Sequence, residues 1–106
     1  MDMMQYYVCI QSHNMKELTK LCAKNKKYDY PHNQYYYPLH LAIEKGFLDV
    51  VELLVQSGAT INYNYKESPL CAAVRFRKHE IMNFLLDQGA DVSLLDEILF
   101  QIFNNI

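Results

Sequence analysis

Residues 37–62 read YPLHLAIEKGFLDVVELLVQSGATIN, and residues 68–93 read SPLCAAVRFRKHEIMNFLLDQGADVS. The two stretches align without a gap at an offset of 31, with Pro38 on Pro69, Leu39 on Leu70, Ala42 on Ala73, Leu54 on Leu85, Gly58 on Gly89 and Ala59 on Ala90. A period of this size marks a chain built from stacked units, none of which can bury its apolar face alone. Each copy reads as a helix pair. Pro38 and Pro69 suit the first helical position, where a missing N–H leaves nothing unsatisfied, and Ser68 is a competent N-cap. Leu39, Ala42 and Ile43 give a short first helix one apolar stripe, and Gly46 permits a turn. Val50, Val51, Leu53, Leu54 and Val55 make the second helix apolar on both flanks, as stacking between two neighbours requires. Gly58 and Gly89 fall where a left-handed C-terminal cap is needed. A degenerate earlier copy, at an offset of 33, places Val8, Cys9 and Ile10 under Leu41, Ala42 and Ile43, and Leu18, Leu21 and Cys22 under Val51, Leu54 and Val55.

The PLHLA run, the apolar second helix and the GAxxN or GADV ending occur in order, twice, and in this the chain resembles the ankyrin repeat. The resemblance implies an all-α solenoid of stacked helix-turn-helix units with short hairpin fingers. It divides residues 1–106 into an N-terminal capping repeat and finger (1–36), two repeats (37–67 and 68–93) and a C-terminal capping helix (94–106). Departures from the family pattern are visible. The family's Thr before the Pro and His two residues after it brace successive repeats, whereas here Tyr37 stands with His40 and Ser68 with Cys71. Neither repeat keeps both partners. The link from Gly58 to Ser68 is shorter than the family spacing, so its finger is expected to be short or irregular. Arg77 replaces the glycine between the helices, at a cost of about 1 kcal/mol where that residue must be left-handed.

The chain has 106 residues, 51% of them apolar, with three Gly and three Pro, which places it among folded single domains and outside disordered or fibrous classes. A formal charge of −2 provides no bulk field toward nucleic acid or anionic membrane, and no apolar run approaches the length of a membrane span. The start, MDMMQYYVCI, does not read as a signal peptide, and three scattered cysteines fit reduced thiols in the cytoplasm better than a disulfide framework. No CxxC or HxxxH spacing, phosphate loop or GxSxG elbow is present, so neither a metal, a cofactor nor a catalytic residue is expected. His40 and Cys71 fall at equivalent repeat positions and read as scaffold. An enzyme using a cysteine nucleophile, Cys71 or Cys9, is the competing class that a repeat scaffold leaves open.

In an ankyrin stack, partners dock on the concave face formed by the fingers and first helices. Carried over by position, the resemblance implies a protein partner bound by Gln34, Tyr35, Tyr36, Glu44, Lys45, Tyr63, Tyr65, Arg75 and Phe76, with Gln11 and Ser12 from the cap. Tyrosine suits this role because its ring offers large amphipathic area with few rotatable bonds. Tyr37 occupies a slot that the family usually packs.

The tail reads LLDEILFQIFNNI from residue 94 to 106, with Leu95, Ile98, Leu99, Ile102 and Ile106 on one helical face, Leu94 and Phe103 at its edges and Phe100 on the far side. Two readings stand. Either the helix caps the second repeat, with some of its apolar side chains covered by a second copy, or it docks on an adaptor; Ile98, Leu99, Phe100 and Phe103 are the candidate adaptor or dimer contacts. LLDEILFQIF resembles the opening helix of an F-box, with Leu95 in place of Pro, which implies an adaptor of a cullin-type ubiquitin ligase. Repeats followed by such a tail resemble host-range proteins of poxviruses, for which the expected location is the host cytoplasm.

Overall fold

The computed structural model describes residues 3–25, 36–62 and 67–105. Among the described residues seven helices follow one another: α1 (Met3–Gln11), α2 (Met15–Asn25), α3 (Tyr36–Lys45), α4 (Leu48–Gln56), α5 (Pro69–Arg75), α6 (His79–Asp87) and α7 (Glu97–Asn104), with a 3₁₀ turn at Val92–Leu94 before the last. No strand occurs among the described residues. The helices pair as α1 with α2, α3 with α4 and α5 with α6. The pairs stack so that α1, α3, α5 and α7 form one row and α2, α4 and α6 a second. The result is elongated, 39 × 27 × 21 Å.

The apolar stripes fill the space between the rows. Tyr6, Ile10, Leu18, Leu39, Ile43, Val50, Val51, Leu54, Leu70, Val74, Ile81 and Leu85 are all fully buried. Tyr6 takes the position of Leu39 and Leu70 in the first pair, and its longer ring reaches α2, where the hydroxyl donates to the Leu21 carbonyl at 3.3 Å.

The turn inside each pair has one geometry. His13, Gly46 and Arg77 all adopt positive φ, at 53°, 78° and 56°. The next amide in each case bonds back five residues, Asn14 to Cys9, Phe47 to Ala42 and Lys78 to Ala73, which satisfies a carbonyl the helix end would otherwise leave open. His13 holds this conformation although it is not glycine, and its side chain is put to use: the ring stacks on Phe47 at 4.0 Å, and Nε2 lies 2.9 Å from both Asp49 carboxylate oxygens, tying the first pair to the second. Arg77 is exposed and bears the left-handed strain with no comparable tether among the described residues. Replacing Arg77 with glycine is therefore expected to stabilise the fold: relief of about 1–2 kcal/mol of strain outweighs the extra entropy of glycine, about 0.5–1 kcal/mol. A thermal melt raised by a few degrees is the expected result, and an unchanged or lowered one contradicts the strain.

Two expectations about helix starts need correction. Pro69 is the first residue of α5, with Ser68 buried as N-cap and its Oγ accepting from the Cys71 amide at 3.1 Å. Pro38, however, is the third residue of α3, because the helix begins at Tyr36. The proline is tolerated there since the first four amides have no intrahelical partner. At the other end, α7 starts at Glu97 and not at Leu94, because the Asp96 carboxylate caps it by accepting from the Leu99 amide at 2.9 Å. The shorter helix turns Leu99, Ile102 and Phe103 toward the core, where Leu95 from the preceding turn also packs, and leaves Ile98, expected on the packed face, 72% exposed. α7 packs chiefly against α5, continuing the row of first helices.

Links between pairs are described in part. Asn62 accepts from the Asp91 amide at 2.7 Å and donates to the Gly89 carbonyl at 2.9 Å, which joins one link to the next. Residues 26–35 and 63–66, where the fingers were expected, lie outside the described residues.

Candidate functional site

The row of first helices exposes one face. On α1 it consists of Met4, Tyr7, Val8 and Gln11, and on α3 of Tyr37, His40, Leu41 and Glu44, the same spacing of three, four and seven residues that puts side chains on one side of a helix. With Ser12, and with Arg75 and Phe76 from the end of α5, they line an open groove of about 1030 Å³. Among the described residues, five large apolar side chains are exposed, and three of them stand here: Met4 at 65%, Val8 at 59% and Tyr37 at 43%. Tyr37 is thus not packed away, in contrast to the expectation for its slot. It faces Tyr7, whose hydroxyl is held above its ordinary pKa by burial and by the nearby Tyr37 phenol.

At the α5 end, electrostatics hold the side chains in place. Arg75 donates from Nε and Nη2 to the two Glu67 oxygens, each at 2.8 Å, and its guanidinium lies 4.3 Å from the centre of the Phe76 ring. This bidentate bond and the negative charges of Glu67 and Glu44 push the Arg75 pKa up against the opposing effect of burial. His40 Nε2 lies 3.8 Å from the same Glu67 carboxylate, so Glu67 bridges the second and third pairs. This contact stands where the family's Thr and His brace is broken.

Of the residues expected to meet a partner, Glu44, Arg75 and Phe76 line the groove together with Gln11 and Ser12, and Lys45 is exposed at the end of α3 without lining it. Gln34, Tyr35, Tyr63, Tyr65 and the Tyr36 side chain lie outside the described residues. On α7, Leu99 and Phe103 are partly buried against the core, while Ile98 and Phe100 stand out on either side of them. The groove residues that position alone did not single out are Met4, Tyr7 and Val8.

The thiols are poorly placed for nucleophilic work. Cys71 is buried and its Sγ–H donates to the Leu94 carbonyl at 3.2 Å. Cys9 has its pKa raised by burial and by the Glu17 carboxylate, which disfavours the thiolate. Cys9 is accordingly expected to alkylate more slowly than free cysteine at neutral pH, followed by mass spectrometry of its peptide; a faster reaction would revive the cysteine enzyme. Among the described residues, no three His, Cys, Asp or Glu side chains gather as a metal site would require, and no helix is long and apolar enough to cross a membrane.

The family described as ankyrin repeats (3 copies) matches residues 6–96. The chain is an ankyrin-repeat protein. BRCA1-associated RING domain protein 1 of Caenorhabditis elegans is 37% identical over 60 residues, 54% of this chain and 8% of its own length. Ankyrin repeat and SOCS box protein 6 of mouse is 40% identical over 67 residues, 59% of this chain and 16% of its own. An ankyrin repeat protein of Acanthamoeba polyphaga mimivirus is 26% identical over a longer stretch, 92 residues, or 85% of this chain and 12% of its own. The chain therefore spans less than a fifth of the length of each of these relatives. Ankyrin repeats generally mediate protein–protein interaction.

Proposed function

We propose that this ankyrin-repeat chain is a non-enzymatic protein-binding module whose partner docks in the groove along α1, α3 and the end of α5. The observation that carries the reading is the gathering of Met4, Val8 and Tyr37, three exposed apolar side chains, on one concave surface. Apolar patches of this kind, rimmed by polar groups, mark interaction sites on proteins that are otherwise polar outside. The helices beneath are locked by the common core, so the groove is presented rigidly and little entropy is lost on docking. A photo-crosslinking residue at position 8 or 44 should capture a partner protein in cells, whereas the same residue at Glu80, on α6 and away from the groove, should not. Equal capture from both places would refute the assignment.

A second reading rests on α7, where Ile98 and Phe100 flank the packed stripe at 72% and 44% exposure. These two side chains offer a contact to a second copy or to a ubiquitin-ligase adaptor. Sedimentation at two concentrations of the native chain and of Ile98→Asp separates the two: self-association lost in the variant supports the first, and a monomer throughout removes it.

A further inference from the structure

The groove differs in chemistry from one end to the other, and this states what kind of partner it fits. From the first turn of α1 and α3 to just past their middles it is lined by Met4, Val8, Tyr37 and Leu41, a largely apolar seat beside Tyr7 and His40. Near their C-terminal ends it turns polar, with Gln11 and Glu44 facing α5. Arg75 does not make that end positive, because its charge is matched by Glu67 through two hydrogen bonds. Glu44 is exposed and forms no hydrogen bond or ion pair with any described residue. Among the described residues that line the groove, Arg75 is offset by Glu67, and Glu44 is left as the remaining carboxylate at this end. The C-terminal ends of α1 and α3 add the partial negative charge of their last carbonyls.

We propose that the groove receives a polypeptide segment bearing a bulky apolar side chain, seated between Val8, Tyr37 and Leu41, and a lysine or arginine that pairs with Glu44. This rests on the groove being the protein-binding face, and adds the chemistry of the occupant. The two features lie three to seven residues apart on α3, or about 5–10 Å at the rise of an α-helix. The partner's two side chains are therefore separated by two or three positions in an extended segment, or by one to two turns in a helical one. An acidic residue in place of the basic one would meet Glu44 and the helix ends with like charge.

The test is a phage library of random peptides about twelve residues long, about the extent of such a segment, selected on the immobilised native chain and in parallel on Val8→Asp and Glu44→Lys. Both positions are exposed, and an unchanged thermal melt checks that the variants fold. Sequences selected by the native chain should carry an aromatic or aliphatic residue with Lys or Arg at the stated spacing, about threefold above the input frequency, the effect of one partly exposed charge pair. Val8→Asp should fail to retain them, and Glu44→Lys should exchange the basic preference for an acidic one while keeping the apolar residue. Peptides that need Val8 yet show no basic preference, or keep it with Glu44→Lys, would overturn the charge assignment and leave the protein-binding reading standing. A selection yielding no peptide that depends on Val8 counts against both.

Discussion

Leu54→Ala is expected to lower the free energy of unfolding by about 3–4 kcal/mol, within the range seen for large-to-small changes at closed core sites. The side chain is fully buried in α4, the helix that packs on α3 within its own pair and on α2 and α6 in the pairs before and after. Removing it opens a void that neighbours on three sides must share, and interiors packed at crystal density collapse only partly around such a gap. The loss falls on both interfaces of the middle pair, and in a stack held by nearest-neighbour contacts this uncouples the ends as well. A domain of this size has a total stability on the order of 5–15 kcal/mol, so the variant should lose a large part of it. Urea unfolding followed by circular dichroism should show the midpoint falling with little change in slope. A cost below about 1 kcal/mol would mean that Leu54 does not sit between pairs.

The second large effect concerns binding. Val8→Asp combined with Tyr37→Ala is expected to weaken the groove's complex about a hundredfold or more. The alanine change removes a ring from the apolar seat, and a truncated hot-spot aromatic costs about 2 kcal/mol. The aspartate places a carboxylate where docking would strip its water with no cation beside it, adding about 1–3 kcal/mol. Together these exceed the roughly 2.7 kcal/mol that corresponds to a factor of a hundred. Both side chains are substantially exposed in the free protein, so folding should be spared and the thermal melt nearly unchanged. Fluorescence anisotropy with a labelled partner or selected peptide reads the result directly, and a Kd within about threefold of the native value, less than one ordinary hot-spot contact, would place the binding surface elsewhere.

The stacked pairs were legible in the sequence because two copies repeat proline, alanine and glycine at fixed offsets, and each of those residues has a backbone or packing reason to be there. Gly58 and Gly89 illustrate this, both at positive φ where α4 and α6 end. The first pair was harder to read in detail. It lacks the proline, His13 stands where the second pair has Gly46, and Tyr6 stands where the later pairs have leucine, so the cues that mark a helix pair are muted there. A signal for the missed groove residues was nevertheless present: the offset of 33 that sets Cys9 under Ala42 also sets Met4, Tyr7, Val8 and Gln11 under Tyr37, His40, Leu41 and Glu44. The tail was misread because Asp96 suits either the interior of a polar helix face or an N-cap. As a cap it delays the helix by several residues and brings Phe103, not Ile98, to the core. Charge in the groove could not be read from sequence at all, since Arg75 counts as a free cation until Glu67, eight residues earlier, is seen to bind it.

That the shared face of α1 and α3 is the docking surface is tested most directly by amide chemical shifts of the isotopically labelled chain as a bound peptide or partner is added. The expected result is a set of large shifts at Tyr7, Val8, Gln11, Leu41 and Glu44 while Glu52, Glu80 and Asn83, on α4 and α6, stay in place. Shifts concentrated on α4 and α6, with α1 and α3 silent, would contradict it.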